Sequence, residues 1–242
     1  MQGIYELVDY NTALTAFNES KDWGCLKNVH LQKTHQKCPI CEVKLDNSVE
    51  RDSKAGKTLL IATIDHYRPQ KFYGFLSNDH KNFILMCSDC NNCYKGNEFP
   101  LYPPGSKRAS SQSELDVEKP LLVNPIIDDP LTLFILIFKL HSNGSKTLEL
   151  KPKNDLNTYL LEKAKTTIQL FNLGDCDITT HHNVHKCRIS THQINFELFY
   201  NLAKARNNKK KFALTLKNKP QLKEYGFFKF IMSKQFKIEI LG

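Results

Sequence analysis

A chain of 242 residues can bury a sizeable core and hold one large domain or two modest ones. Its 34 Lys and Arg exceed 25 Asp and Glu, and the resulting charge of +9 argues against an acidic ligand-binding role and for a polyanionic partner, nucleic acid first and an anionic membrane second. The longest apolar run, residues 133–138, is too short to span a bilayer, and the opening Met1-Gln-Gly-Ile-Tyr-Glu-Leu-Val-Asp carries no signal-like apolar stretch.

A cytoplasmic location with no membrane partner is therefore the expectation, and in a reducing compartment paired cysteines bind metal more often than they form bridges. Residues 1–34 read as a helical lead-in, with Leu7, Leu14 and Phe17 on one face. Residues 35–102 form a metal module. Within it Cys38-Pro-Ile-Cys41 and Cys87-Ser-Asp-Cys90 each have the spacing that lets two thiolates reach one zinc ion, and together they make a closed, structural four-thiolate site. The 45 residues between the pairs exceed the roughly 12 to 20 of a simple zinc ribbon, so a further element is built there. It is a strand over 59–64 ending in Asp65-His66. After it, residues 88–94 read as a short helix capped by Ser88 and stopped at Gly96. Cys93 offers an alternative ligand register, and His30 and His35 could stand in as ligands. Cys25, Cys176 and Cys187 read as core thiols.

Residues 103–119 are rich in Pro, Ser and charge and read as a linker or exposed loop. The remainder, 120–242, is a mixed, largely helical domain. It opens with a strand over 131–140 that turns at Ser142-Asn-Gly-Ser into 146–150. A helix follows through Leu156, Leu160, Ala164 and Ile168, with Asn154 and Asp155 as caps and Gly174 as stop. A second helix runs through Ile194, Leu198, Leu202 and Ala205. His181, His182 and His185 form a polar loop or a second metal site. In the tail, lysines from Lys217 to Lys237 alternate with Tyr225, Phe227, Phe228, Phe230 and Phe236, a pattern that fits either base stacking along a phosphate backbone or an amphipathic packing element.

Phosphodiester hydrolysis requires an activated water, a cation on the oxygens that gain charge, and in-line geometry. His66 is suited to be the general base, because imidazole titrates near neutrality and its second nitrogen can be fixed by a backbone carbonyl. Asp65 and Asn91 offer a carboxylate and an amide oxygen to a hard divalent ion, magnesium or manganese, leaving its other positions to water and phosphate. Lys95 either contacts a phosphate or solvates the helix end.

The Cys-x-x-Cys pair, Ile64-Asp-His-Tyr-Arg-Pro and Asn82-Phe-Ile-Leu-Met-Cys-Ser-Asp-Cys-Asn-Asn-Cys-Tyr-Lys-Gly resemble an HNH endonuclease with a ββα-metal fold. More narrowly, His35-Gln-Lys-Cys-Pro-Ile-Cys-Glu, Lys95-Gly-Asn-Glu-Phe-Pro-Leu and Pro120-Leu-Leu-Val-Asn-Pro-Ile-Ile-Asp-Asp-Pro resemble the PtuB-type HNH proteins of Septu and retron antiphage systems, over 36–102 and less strongly to about 175. The resemblance implies an α+β protein in which His66 is the first HNH histidine, Asn82 braces the loop, and Asn91 replaces the final histidine. It also implies an ATPase partner of the PtuA kind. The expected activity is cleavage of DNA, or of RNA such as transfer RNA. A noncatalytic zinc module that binds nucleic acid or a protein would share the zinc and the basic tail but has no chemical need for Asp65-His66 in register with Asn91.

Overall fold

The computed structural model describes residues 3–34, 36–43, 45–46, 60–140 and 146–173. The lead-in is two helices rather than one. Helix α1 (Val8–Ser20) ends where Lys21 turns left-handed at φ 57° and donates its N–H to Phe17 O. Asp22 then accepts from Gly24 N at 2.8 Å and caps α2 (Trp23–Lys33). Leu26, Val29 and His30 recur on the helical period and are buried, which is the signal for α2 in the sequence. Leu7 and Leu14 are only partly buried, whereas Phe17 is fully so.

Helix α2 packs on a three-stranded sheet of order β1-β2-β3. Strand β1 (Leu45–Asp46) runs parallel to β2 (Leu60–His66), with Leu45 opposite Leu60. Strand β3 (Phe83–Cys87) runs antiparallel to β2, pairing His66 with Phe83 and Ala62 with Cys87. Every residue of Phe83-Ile-Leu-Met-Cys87 is buried, so the strand reads as a continuous apolar run instead of an alternation. Phe17 and Trp23 cover one end of it, with ring centroids 5.7 and 4.8 Å from Phe83.

Residues 103–119 are anchored to the module, unlike a free linker. Tyr102 N donates to Lys119 O and Leu121 N to Pro100 O, closing the segment at its base. From within it, Glu118 accepts from Arg68 Nε at 2.7 Å, Tyr73 Oη at 2.6 Å and Ala109 N at 3.0 Å. The described part of 120–242 continues the same core. The expected strand over 131–140 begins with one helical turn, α3 (Pro130–Leu133), because Asp129 caps Leu131 N at 2.9 Å and Pro130 suits the first helical position. Strand β4 (Phe134–Leu140) then pairs antiparallel with β5 (Lys146–Pro152). The turn that joins them lies outside the described residues.

Helix α4 (Thr158–Leu170) is capped by Asn157, whose Oδ1 accepts from Leu160 N at 2.9 Å, in place of the expected Asn154 or Asp155. Asn172, at φ 50°, turns the chain beyond its end, before Gly174 is reached. Thr167 Oγ1 accepts from Val123 N, and Tyr159 Oη donates to Pro120 O, so α4 is stitched to the strand-like segment that follows the loop. The second helix, the His181 cluster, Cys176, Cys187 and the basic tail lie outside the described residues.

His30 is fully buried between α1 and the sheet layer, and neither ring nitrogen has a hydrogen-bond partner. Burial lowers its pKa from 6.5 to about 4, so the ring is neutral in the folded protein. A depressed histidine leaves stability intact above its unfolded pKa and removes it as pH falls below about 6.5 toward 4, because only the unfolded chain then takes the proton. Wild type should lose about 1 kcal/mol more than His30→Leu between pH 7.5 and 5.5 in urea midpoints. Parallel losses in the two proteins would refute this assignment, since thiolate protonation acts on both.

Candidate metal and catalytic site

Two short chain reversals carry the cysteines. Around the first pair, Gln36 and Glu42 are both at φ 57°, with Glu42 N bonded to Cys38 O and Cys38 N to Val43 O. The second pair straddles the end of β3, and Cys90 N donates to Cys87 Sγ at 3.3 Å. The four sulfurs lie within 4.8 Å of one another, and the Cys38–Cys90 and Cys41–Cys87 separations are both 3.7 Å. Four thiolates at ~2.3 Å from one ion stand ~3.8 Å apart, so the quartet fits zinc closely. Hydrogen bonds from Cys38, Cys41 and Cys90 pull Cys87 far below the ordinary thiol range, while burial drives Cys90 far above it. One thiolate is accommodated by its neighbours, and more than one needs a cation. Cys93 is exposed and outside the quartet, Cys25 is half-buried beside Asp22, and His30 is buried elsewhere. His35 lies outside the described residues.

The helix after β3 differs from the expected one. It is a π-helix over Asp89–Lys95, and Gly96 N closes it on Asn91 O at 2.7 Å. Ser88 has helical dihedrals and makes no side-chain cap. Gly96, at φ 48°, does stop the element. The wider turn puts Asn91 and Lys95, four residues apart, on the face against β2. There Asn91 Nδ2 donates to Thr63 Oγ1 at 3.1 Å, and Lys95 Nζ sits 2.8 Å from Asp65 Oδ2. Thr63 and Asp65 are two residues apart and share a face of β2. With its nitrogen committed to Thr63, the Asn91 amide presents its oxygen as the remaining acceptor.

Lys95 is placed differently from a phosphate-facing or solvated cation. Its side chain is 1% exposed, and the ammonium also donates to His66 O at 2.9 Å. Asp65 Oδ2 is buried with no aligned hydrogen bond, and the Lys95 ammonium is the nearest charge that compensates it. Burial raises the Asp65 pKa above the usual carboxylate value, and Lys95 offsets part of that.

His66 ends β2 half-buried, with its ring edge-on to Phe83 at 5.2 Å and Trp23 at 6.0 Å. Its Nε2 lies 2.9 Å from Ser77 O. A carbonyl can only accept, so Nε2 carries the proton in the neutral ring and Nδ1 keeps the lone pair. Asn82 holds the loop between them. Its Oδ1 accepts from Arg68 N at 2.8 Å, its Nδ2 donates to Arg68 O at 3.0 Å, and its own carbonyl accepts from Tyr67 N. The sequence singled out Asp65, His66, Asn82, Asn91 and Lys95, and all five gather around the end of β2. It missed Ser77, which acts through a main-chain carbonyl and leaves no side-chain signal. It also missed Thr63, whose strand position opposite Met86 gave no hint of a bond to Asn91.

No protein-family model matches the chain. It is similar to the Septu protein PtuB of Bacillus mycoides (strain KBAB4), with 28% identity over 118 residues. That match covers 43% of this chain and 36% of the relative, so the similarity spans about a third of the relative's length. It supports a Septu-related origin. Among the described residues no helix is long and apolar enough to cross a membrane.

Breaking a buried ion pair from one side leaves an uncompensated charge. In zinc-loaded protein without magnesium, Lys95→Met should lower unfolding free energy by about 3–5 kcal/mol, and the double variant Asp65→Asn/Lys95→Met should recover most of it. Equal urea midpoints for the single and double variants would contradict the pairing.

Proposed function

We propose that the chain is a metal-dependent HNH endonuclease that hydrolyses phosphodiester bonds of nucleic acid. The observation that carries this reading is the hydrogen bond from His66 Nε2 to Ser77 O, at the end of the strand that also carries Asp65 and, through Thr63, holds the Asn91 amide. It leaves Nδ1 as a directed base.

In this reading water is held against Nδ1, which takes its proton as the oxygen attacks phosphorus. Phe83 and Trp23 fix the ring plane, so the lone pair is aimed without a search over rotamers. Asp65 and Asn91 would hold a magnesium or manganese ion, which would offset charge on the nonbridging and departing oxygens. Lys95 orients the Asp65 carboxylate and offsets part of the upward push that burial gives its pKa. Asn82 maintains the distance between the Arg68 end of the loop and the strand. The cysteine quartet, as a zinc site, fixes the π-helix and with it Asn91.

The similarity to PtuB favours a nuclease effector of an antiphage system acting with an ATPase partner of the PtuA kind. DNA is the favoured substrate, with RNA as the alternative on the same chemistry.

Purified wild type and His66→Ala should be incubated with plasmid, single-stranded DNA and small RNA, with magnesium or manganese and then with chelator. Wild type should cleave at least one of them in a chelator-sensitive way. His66→Ala should be slower by about 10²–10⁴-fold, the usual worth of a general base, with zinc content unchanged. Asp65→Ala and Asn91→Ala should need more magnesium for half-maximal rate. Undiminished cleavage by His66→Ala would remove the base from His66, and absence of cleavage even with the ATPase present would favour a noncatalytic zinc module.

A further inference from the structure

We propose that Phe72, Phe75 and Arg108, flanked by Lys71 and Lys107, form a platform for unpaired nucleotides, so that a single-stranded segment is what reaches His66. The inference rests on the nuclease reading and names its substrate class.

The loop between β2 and β3 turns two aromatic rings outward. Phe72 is 40% exposed and Phe75 43%, although the loop is otherwise well packed through Tyr73 and Leu76, at 0% and 2%. Large rings at that exposure lose apolar burial unless something covers them. What surrounds Phe72 is cationic. The Arg108 guanidinium lies 4.3 Å from the Phe72 ring centroid and the Lys71 ammonium 5.5 Å from it. Arg108 is steadied over Phe72 by a bond of 3.4 Å from Nη2 to Phe99 O. Aromatic faces and guanidinium planes are the two surfaces on which unstacked bases lie.

Arg108 also lines a cleft of about 320 Å³ together with Lys107, Lys119, Ser106 and Tyr102. Two carboxylates reach the same cleft, and both are engaged by neighbouring donors. Glu118 serves Arg68, Tyr73 and Ala109 N, and Glu114 accepts from Ser110 N and Oγ. Lys71, Lys107 and Arg108 make no ion pair with any described residue. Glu114 offsets part of the Lys107 charge, but Lys71, Lys107, Arg108 and Lys119 outnumber the two carboxylates, so the balance of charge favours an anionic occupant. Phosphate in the cleft and bases on the rings satisfy both halves of the surface at once, which an acidic protein segment would not.

Chain connectivity places the platform on the loop that holds the base: Ser77, whose carbonyl accepts from His66 Nε2, is two residues beyond Phe75, so their Cα atoms are at most ~7 Å apart. Duplex bases cannot lie on the rings without leaving their stack, so the platform selects for unpaired segments.

The test reads binding apart from cleavage. Full-length protein in a His66→Ala background and magnesium-free buffer is titrated into labelled 12-nucleotide DNA, the same sequence as RNA, and the DNA duplex, with anisotropy as readout. Single strands should bind at least about tenfold more tightly than duplex, and the tighter of the two single-strand arms names the sugar. Phe72→Ala/Phe75→Ala should weaken single-strand binding about 10- to 100-fold and leave duplex binding unchanged. Phe72→Leu/Phe75→Leu keeps the apolar bulk and should lose the same preference, with zinc content and circular dichroism intact. Retained preference in the leucine variant, equal losses on duplex and single strand, or no wild-type preference would each overturn the proposal. Cleavage is measured separately in the His66 protein: phenylalanine variants that bind and cut as wild type sink the platform alone, whereas ring-dependent binding without any cleavage sinks the nuclease reading alone.

Discussion

The four-cysteine cluster is the constraint on which the site depends. Cys38 and Cys41 come from a chain reversal after α2, and Cys87 and Cys90 come from the junction of β3 with the π-helix. Nothing else among the described residues ties these two segments so directly, and the residues between the two pairs carry β2 and the loop that holds its end. Structural zinc in small modules contributes roughly 10–16 kcal/mol of apparent folding energy, comparable with the whole stability of a domain. A clamp of that size can hold a strained element. The π-helix is one, since its hydrogen-bonded turn is wider than an α-turn and rarely persists without support.

What that wider turn achieves is a matching of spacings. Asn91 and Lys95 meet Thr63 and Asp65, so a pair of positions on the helix reads a pair of positions on the strand. On the other side, His66 is fixed by a carbonyl from a loop that Asn82 and the Arg68–Glu118 pair keep closed. The carboxylate and the imidazole, neighbours in sequence, are thus oriented by different parts of the fold. Asp65 answers to the helix that follows the second cysteine pair, and His66 to the loop.

Much of this was legible in the sequence because it depends on local spacing. The two Cys-x-x-Cys pairs, the strand ending in Asp65-His66, the hairpin of β4 and β5, and the amphipathic pattern of α4 were all readable from period and punctuation. The misses share a cause. Asn157 outcompeted Asn154 and Asp155 as a cap, and Asp129 with Pro130 converted the start of a strand into a helical turn, because capping is decided by which side chain meets the first free N–H. Lys95 reads in the sequence as a phosphate contact or a solvated helix-end cation, since its burial follows from a tertiary contact with Asp65 that no local pattern announces. The stretch over 103–119 reads as a linker or exposed loop from its polar composition, which gives no sign of the bonds Glu118 makes to Arg68 and Tyr73. The comparison with PtuB spans less than half of the chain and bears on lineage more than on any one residue.

The most direct test of the account is X-ray absorption at the zinc edge on purified protein, with total zinc measured alongside. The account predicts one zinc per chain in a single shell of four sulfurs at about 2.3 Å. A shell containing nitrogen or oxygen ligands, or folded protein that carries no zinc, would contradict the clamp and with it the placement of Asn91 and Lys95 against β2.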